Sequence, residues 1–172
     1  MKLQAYADCD EVEFLVNGKS YGKVAPVEYK AFCEVPFEPG VVEVRAIRGG
    51  GVVAADRIET AGAPAAIVLT AERAAVAADG MDLAFIHVDL VDAEGKPSID
   101  IPVMVTAKVS GAGKFLAIGS GNPCTQENFT DSRLTFHGSA LVCARALRDA
   151  GEMLIEVSGD GVKSASITIA VK

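Results

Sequence analysis

The chain has 172 residues, of which 50% are hydrophobic, so it is long enough to bury a core and too apolar to be disordered. Its formal net charge is −7, and its Lys and Arg residues lie scattered among acidic ones. This argues against a nucleic-acid-binding protein, because phosphate backbones are bound by clustered basic side chains. No apolar run approaches the roughly 18 residues that a membrane-spanning segment needs.

The first sixty residues predict six short β-strands separated by turn signals. We place the strands at Leu3–Ala7, Glu11–Val16, Lys19–Val24, Lys30–Val35, Val41–Arg48 and Val52–Thr60. Asn17-Gly18 predicts a two-residue hairpin turn, since both residues tolerate a positive φ. Gly49-Gly50-Gly51 predicts a second hairpin, and Pro36–Gly40 predicts a loop that redirects the chain.

Strand Val41–Arg48 has the side-chain alternation of a half-buried antiparallel strand. Val42, Val44 and Ala46 share one face, and Glu43 and Arg45 share the other. A strand with one apolar face indicates a sheet that packs against a second layer.

A domain boundary is predicted within Thr60–Ala66. Gly62 and Pro64 interrupt strand pairing there, and the small residues around them cannot anchor a core. The sequence therefore predicts two domains, residues 1–61 and residues 62–172.

A second set of strands follows the boundary. It begins at Ile67-Val68-Leu69 and continues at Leu83–Val91, Val103–Val109, Lys114–Ile118, Ser139–Leu147, Glu152–Val157 and Ala165–Val171. In the strand at Leu83–Val91, Ile86, Val88 and Leu90 are predicted to face the core, with His87 and Asp89 on the other side. In the last strand, Ile167, Ile169 and Val171 are predicted to face inward.

The connections of this second half are predicted to be short. Asp92–Lys96 indicates a surface turn, and Ala71–Asp79 favours a strand plus a loop over a helix. Gly111-Ala112-Gly113-Lys114 lacks the Ser or Thr that must follow the Lys in a phosphate-binding loop, so it predicts a hairpin turn. The fold class predicted for the whole chain is all-β, with two tandem immunoglobulin-like β-sandwich domains.

The segment from Gly119 to Arg133 is the longest irregular stretch, and long loops in compact domains are often functional or form interfaces. Its residues that could contact a ligand or a partner are Asn122, Gln126, Glu127, Asn128 and Phe129. A hydrolytic triad is not predicted from His87, His137 and Ser120, since they lack a nucleophile motif. No catalytic, cofactor-binding or metal-binding residue is predicted, and no cofactor.

Four cysteines are present: Cys9, Cys33, Cys124 and Cys143. They contain no Cys-x-x-Cys pair, so a zinc site is not predicted. We predict four free, partly buried thiols. Disulfides within each domain are the alternative and would require an oxidising compartment.

Three groups of phrases resemble the C-terminal β-domains of glycoside hydrolase family 2 enzymes, which are β-galactosidase-like proteins. The first comprises Asp10–Lys23 (D-E-V-E-F-L-V-N-G-K-S-Y-G-K) and residues 35–44. The second comprises residues 60–70 and 78–95, and the third comprises residues 119–129 and 136–146. Together they cover essentially the whole chain in the order found in the family.

The resemblance implies that the chain is a non-catalytic accessory region of a bacterial β-galactosidase-like enzyme that acts in carbohydrate metabolism. The family's two catalytic glutamates lie on a (β/α)₈ barrel of about 250 residues, which this chain has no room for. The implied partners are that barrel and the other upstream domains, with oligosaccharide contact a further possibility. A glycan- or protein-binding tandem of adhesin type is the alternative.

The location follows from the implied parent enzyme. The strand-like start at Leu3 suggests a fragment whose Met1 was added for expression, and the strand-like end at Val171-Lys172 fits a natural C-terminus. No signal peptide is visible at the start. A periplasmic or extracellular parent is implied, and a cytoplasmic one is also open.

Overall fold

A computed structural model describes all residues, 1–172. It contains fifteen β-strands and no helix, so no helix is present that could cross a membrane. The prediction of an all-β fold is confirmed. The chain forms two compact units, unit 1 (Met1–Thr60) and unit 2 (Ala61–Lys172).

Unit 1 consists of six antiparallel strands in two sheets. The strands are β1 (Lys2–Tyr6), β2 (Glu11–Val16), β3 (Lys19–Val24), β4 (Lys30–Glu34), β5 (Val41–Arg48) and β6 (Gly51–Glu59). One sheet has four strands in the order β3-β2-β5-β6, and the other has two, β1-β4. All six predicted strands are confirmed to within one residue at each end.

The Asn17-Gly18 turn joins β2 to β3 as predicted. Both residues have positive φ, 51° and 79°, which matches the twist of a two-residue hairpin. The Asn17 side chain also anchors the loop before β5, because its Oδ1 accepts a hydrogen bond from Val41 N (2.8 Å) and its Nδ2 donates one to Pro39 O (3.1 Å). Gly40 lies against this side chain, and a Cβ at Gly40 would come within 2.0 Å of Asn17 Oδ1.

A second two-residue turn, before β4, could not be predicted from its sequence. Glu28 and Tyr29 have φ of 50° and 65°, and Val27 and Lys30 exchange two backbone hydrogen bonds of 2.9 and 3.0 Å across them. Non-glycine residues seldom occupy this region, and neither Glu nor Tyr is among those that favour it. The turn is therefore set by the pairing of the flanking residues.

The core of unit 1 lies between the two sheets and is small. Phe14 of β2 is fully buried and packs in one cluster with Val12 and Ala31, whereas Val16 packs in a second cluster with Val35 and Val42. In β5, Val42 is buried as predicted, and Ile47 is buried as well. Beside Ile47, β6 carries one extra residue, Val53, where its register against β5 shifts.

Unit 2 has nine strands: β7 (Ala66–Ala71), β8 (Ala75–Val76), β9 (Leu83–Val91), β10 (Met104–Gly111), β11 (Gly113–Gly119), β12 (Ser132–Leu134), β13 (Ser139–Ala146), β14 (Gly151–Gly159) and β15 (Val162–Val171). They form two layers, β11-β13-β9-β7 and β15-β14-β10-β12. The layers join where β7 meets β15 in parallel, and β8 extends the same parallel contact along β15. All other pairs are antiparallel.

One continuous core lies between these layers. Ile86, Val88 and Leu90 of β9 are buried, as predicted, and they belong to the same cluster as Ile155 and Ile169 from the opposite layer. The inward positions predicted on β15 are confirmed as well. Two sheets that bury one shared apolar layer make unit 2 a sandwich.

Two expectations for unit 2 are corrected. The turn at Gly111–Lys114 is not a hairpin, because β10 pairs with β12 and β14 whereas β11 pairs with β13 in the other sheet. The chain changes layers there, and Gly111 (φ 76°) lies so close to Glu152 O that a Cβ would approach it to 2.2 Å. The predicted long loop also contains the short strand β12 at its end.

Candidate functional site

The segment between β11 and β12 presents the residues predicted to contact a ligand or partner. Gln126, Asn128 and Phe129 are exposed, whereas Asn122 and Glu127 are only partly so. Asn122 Oδ1 accepts a hydrogen bond from Cys124 N (2.9 Å), which closes a local turn. The structure thus brings the five residues into one loop and divides them into an outward set and a set that shapes the backbone.

Glu127 is held by the loop that it belongs to. Its Oε2 accepts a hydrogen bond from Thr125 Oγ1 (2.8 Å), and its Oε1 accepts one from Leu134 N (3.1 Å). These bonds and the nearby Arg133 guanidinium lower the pKa of Glu127, with the Thr125 hydroxyl as the largest cause. Glu127 is therefore ionised at neutral pH, and its carboxylate stabilises the loop through these hydrogen bonds.

Arg133 is the buried centre of this segment, with 2% of the residue exposed. Its Nη1 lies 3.3 Å from Glu127 Oε2 and donates to Glu127 O at the same distance, and its Nε donates to Ile118 O (3.4 Å). A buried charge requires such partners, since removing it from water without them is costly. No signal in the sequence predicts this role, because arginine is usually exposed.

Phe129 stands over Arg133. The guanidinium carbon lies 5.1 Å from the ring centroid, within the range of a cation–π contact, while 77% of Phe129 is exposed. The ring is thus in contact with Arg133 while most of its surface remains accessible to solvent. An exposed aromatic ring beside the amides of Gln126 and Asn128 can contact either a sugar or a protein surface.

A cavity of about 440 Å³ opens on the outer side of β9, β11 and β13, next to this loop. Its lining residues are mostly small or apolar: His87, Ala117, Gly119, Ser120, Gly121, Ser139, Ala140, Leu141 and Cys143. The hydroxyl of Ser120 is buried with no hydrogen-bond partner. Burial raises the pKa of the Cys143 thiol, so this group is protonated at neutral pH and is a poor nucleophile.

The two histidines have separate surroundings. His87 Nε2 lies 3.4 Å from Glu72 Oε1 on an exposed strand face, while His137 sits in the turn before β13 with φ 49° and packs against Phe136. No group of three or more His, Cys, Asp or Glu side chains is placed to hold a metal ion. The four cysteines are free thiols; Cys124 is exposed, so the prediction of partial burial is wrong for it.

Asp92 differs from the exposed turn residue that was expected. It is buried, and its carboxylate accepts hydrogen bonds from the amides of Gly62 (2.8 Å), Glu94 (3.0 Å) and Lys96 (2.8 Å). The Gly62 amide is the largest cause of its lowered pKa. Asp92 therefore fastens the first residues of unit 2 to the end of β9.

Comparison with known families assigns both units. The family model described as glycoside hydrolase family 2 C-terminal domain 5 matches residues 67–168, which is more than half of the chain. The chain belongs to this glycoside hydrolase family 2 C-terminal domain family. A second model, described as a domain of unknown function (DUF4982), matches residues 1–54. The predicted resemblance to glycoside hydrolase family 2 is confirmed.

Similar proteins are much longer than this family 2 region. A β-galactosidase of Bacteroides ovatus, BoGH2A, is 37% identical over 171 residues, which are 97% of this chain and 20% of that protein. A β-glucuronidase of Formosa agariphila is 29% identical over 95% of this chain and 17% of its own length. A crystal structure of a glycosyl hydrolase family 2 member from Bacteroides cellulosilyticus superposes with a TM-score of 0.89 at 31% identity and covers 99% of this chain and 23% of that one. The chain thus spans about a fifth of the length of such relatives.

Proposed function

We propose that residues 1–172 are a non-catalytic accessory region of a longer β-galactosidase-like glycoside hydrolase. The observation that carries the proposal is the alignment of 97% of this chain with one fifth of a β-galactosidase. The region would support the catalytic part of the parent by packing against it and by holding its assembly together. The partners are then the catalytic barrel and the other domains of the same polypeptide.

The architecture of this region supports the proposal that it is not catalytic. A (β/α)₈ barrel needs about 250 residues and eight helices, whereas these 172 residues form fifteen strands and no helix. A retaining glycosidase also needs two carboxyl groups about 5 Å apart that face a sugar. Glu127 and Asp92, two of the carboxylates of unit 2, are each hydrogen-bonded to their own backbone surroundings.

We also propose that both units are immunoglobulin-like sandwiches. In unit 2, β7-β9-β13-β11 packs on β15-β14-β10, which corresponds to the strand order A-B-E-D facing G-F-C. In unit 1, β3-β2-β5-β6 corresponds to C′-C-F-G, and β1-β4 corresponds to B-E. This strand order supports the immunoglobulin-like assignment and does not by itself indicate a function.

The accessory role is tested on the longer gene product, with and without residues 1–172. We expect the full protein to hydrolyse a nitrophenyl β-galactoside, and the truncated protein to lose thermal stability or its oligomeric state while the KM for residual activity stays within about threefold. A full protein that hydrolyses no glycoside would overturn the parent's assignment. A truncated protein that is as stable, as assembled and as active as the full one would overturn the accessory role.

A second candidate is a glycan-binding module, and the exposed ring of Phe129 is the observation that favours it. If this function holds, residues 1–172 bind oligosaccharides on a glycan array, and Phe129→Ala abolishes the signal. Phe37→Ala is a matched control, since Phe37 in unit 1 is also largely exposed, at 65% against 77% for Phe129. Binding that survives Phe129→Ala, or no binding at millimolar glycan, would exclude the loop as a glycan site.

A further inference from the structure

Unit 1 carries an open groove between β1 of the small sheet and strands β5 and β6 of the large sheet. Two cavities of about 110 and 130 Å³ lie along it. Val44 and Asp56 line both cavities, so they form one continuous trough. Leu3 lines one end of the trough and Ala7 lines the other. The groove therefore runs along the whole length of β1.

The floor of this groove is a core-facing surface that nothing covers. Strand pairing places three β6 side chains opposite Val42, Val44 and Ala46 of β5, and thus on the core side of the sheet: Ile58, Asp56 and Ala54. Val42 is buried, whereas its partner Ile58 is 66% exposed, and every residue of β6 is exposed. The small sheet has only two strands and does not extend over β6.

The backbone of β1 offers a free edge along the same groove. Ala7 N donates to Tyr29 O (2.9 Å) and Val35 N donates to Met1 O (3.0 Å), so the odd-numbered residues direct their backbone groups toward β4. The direction alternates along a strand, and no strand pairs with the other side of β1. The residues whose amide and carbonyl groups face that side are Lys2, Gln4 and Tyr6. Such an edge is a template for an added strand.

Unit 2 shows what occupies the corresponding position in a complete sandwich. There β7 pairs antiparallel with β9 and then meets β15 in parallel, so it closes the gap between the two layers. By strand order β9 corresponds to β1, and β15 corresponds to β6. Unit 1 has no counterpart of β7 within residues 1–172, and the groove lies where that counterpart would run.

We propose that an extended, mainly apolar segment of the same polypeptide, outside residues 1–172, fills this groove as a third strand on the free edge of β1. Its alternate side chains would cover Ala54 and Ile58, and a basic or hydroxyl side chain would face Asp56. The inference rests on the proposed function, since about four fifths of such a relative's polypeptide lies outside the part that this region matches. A tethered segment has an effective concentration in the millimolar range, which favours it over a separate chain.

Amide hydrogen exchange resolved to single residues tests this directly, in residues 1–172 and in the longer gene product. We expect the amides of Lys2, Gln4 and Tyr6 to exchange at least 100-fold more slowly in the longer protein. The amides of Leu3 and Ala5, already directed toward β4, are the internal control and change far less. Equal exchange of the even-numbered amides in both proteins overturns the proposal. Protection that appears in residues 1–172 alone and rises with concentration assigns the groove to a second copy and also overturns it.

A groove-filling variant provides an independent check. Ala54→Phe places a ring on the groove floor, and Ala25→Phe places the same ring on an exposed loop as a control. Neither should alter the unfolding temperature of residues 1–172 by more than about 2 °C. In the longer protein, Ala54→Phe alone should restore fast exchange at Lys2, Gln4 and Tyr6, and retained protection overturns the proposal.

The two proposals fail separately. If the longer protein has a family 2 barrel and hydrolyses glycosides while these amides stay unprotected, only the groove assignment is wrong. If the longer protein has no barrel, the accessory function is wrong whatever the amides show.

Discussion

Truncation of Phe14 tests whether unit 1 is stabilised by a core of its own. Phe14 has 0% of its surface exposed and packs in a cluster with Val12 and Ala31. Removing a buried phenyl ring costs about 3–5 kcal/mol, through lost burial and the cavity left behind. Unit 1 comprises residues Met1–Thr60, and a domain of that size has a total stability of about 3–9 kcal/mol. Phe14→Ala should therefore leave unit 1 largely unfolded or close to it.

The assay is the exchange of backbone amides in residues 1–172, measured in both units of the same sample. We expect the amides of β2 and β5 to lose most of their protection in Phe14→Ala, while those of β9 and β14 keep theirs. Phe37→Ala is the control in the same unit, since Phe37 is 65% exposed and its loss should change stability by less than about 0.5 kcal/mol. Loss of protection in both units together, or none in unit 1, would refute two separate cores.

Four further predictions concern single sites. Arg73, which donates to Asp82 Oδ1 at 2.7 Å, is the largest cause that lowers the pKa of Asp82 from 3.8 to about 2. Ionised Asp82 therefore stabilises unit 2 above about pH 4, and this contribution is lost as the pH falls toward 2; an NMR titration midpoint near 4 would contradict this. Gly138→Ala should destabilise unit 2 by about 3 kcal/mol, because the added Cβ would lie 2.3 Å from Ser98 O. Gly95 has a similar positive φ but no atom within 4 Å of an added Cβ, so Gly95→Ala should destabilise unit 2 by only about 1 kcal/mol. Equal losses in denaturant unfolding would show that the contact with Ser98 is unimportant. Replacing Glu28-Tyr29 by Asn-Gly should stabilise unit 1 by about 1 kcal/mol, since both positions have positive φ; a lower denaturation midpoint would argue that Tyr29 packs productively. Glu127→Gln should destabilise unit 2 more than Arg133→Met does, because only the first leaves the buried guanidinium without its anion, and the reverse order in urea unfolding would contradict the anchoring role of Glu127.

Most of the strand positions could be predicted from the sequence, because they depend on local signals. Alternation of apolar and polar residues located β9 and β15, and Asn17-Gly18 located the first hairpin through its conformational preference. The domain boundaries drawn at residue 61 stay a prediction of the sequence. So does the role of the loop residues as a ligand or partner site.

What could not be predicted depends on contacts between distant residues. Strand β12 has only three residues and forms by pairing with the edge of β10. No local sequence pattern predicts this pairing. The burial of Arg133 depends on Glu127 and on the carbonyl of Ile118 folding over it. The groove beside β1 likewise follows from the number of strands in each sheet, since a sequence does not show which edge stays unpaired.

The most direct test of the central claim is an activity assay of purified residues 1–172 with nitrophenyl β-galactoside and β-glucuronide. The accessory assignment predicts no release of nitrophenol above a heat-denatured sample of the same protein. Turnover that rises in proportion to protein concentration and persists through further purification would show that this region is itself a glycosidase, and would contradict the account.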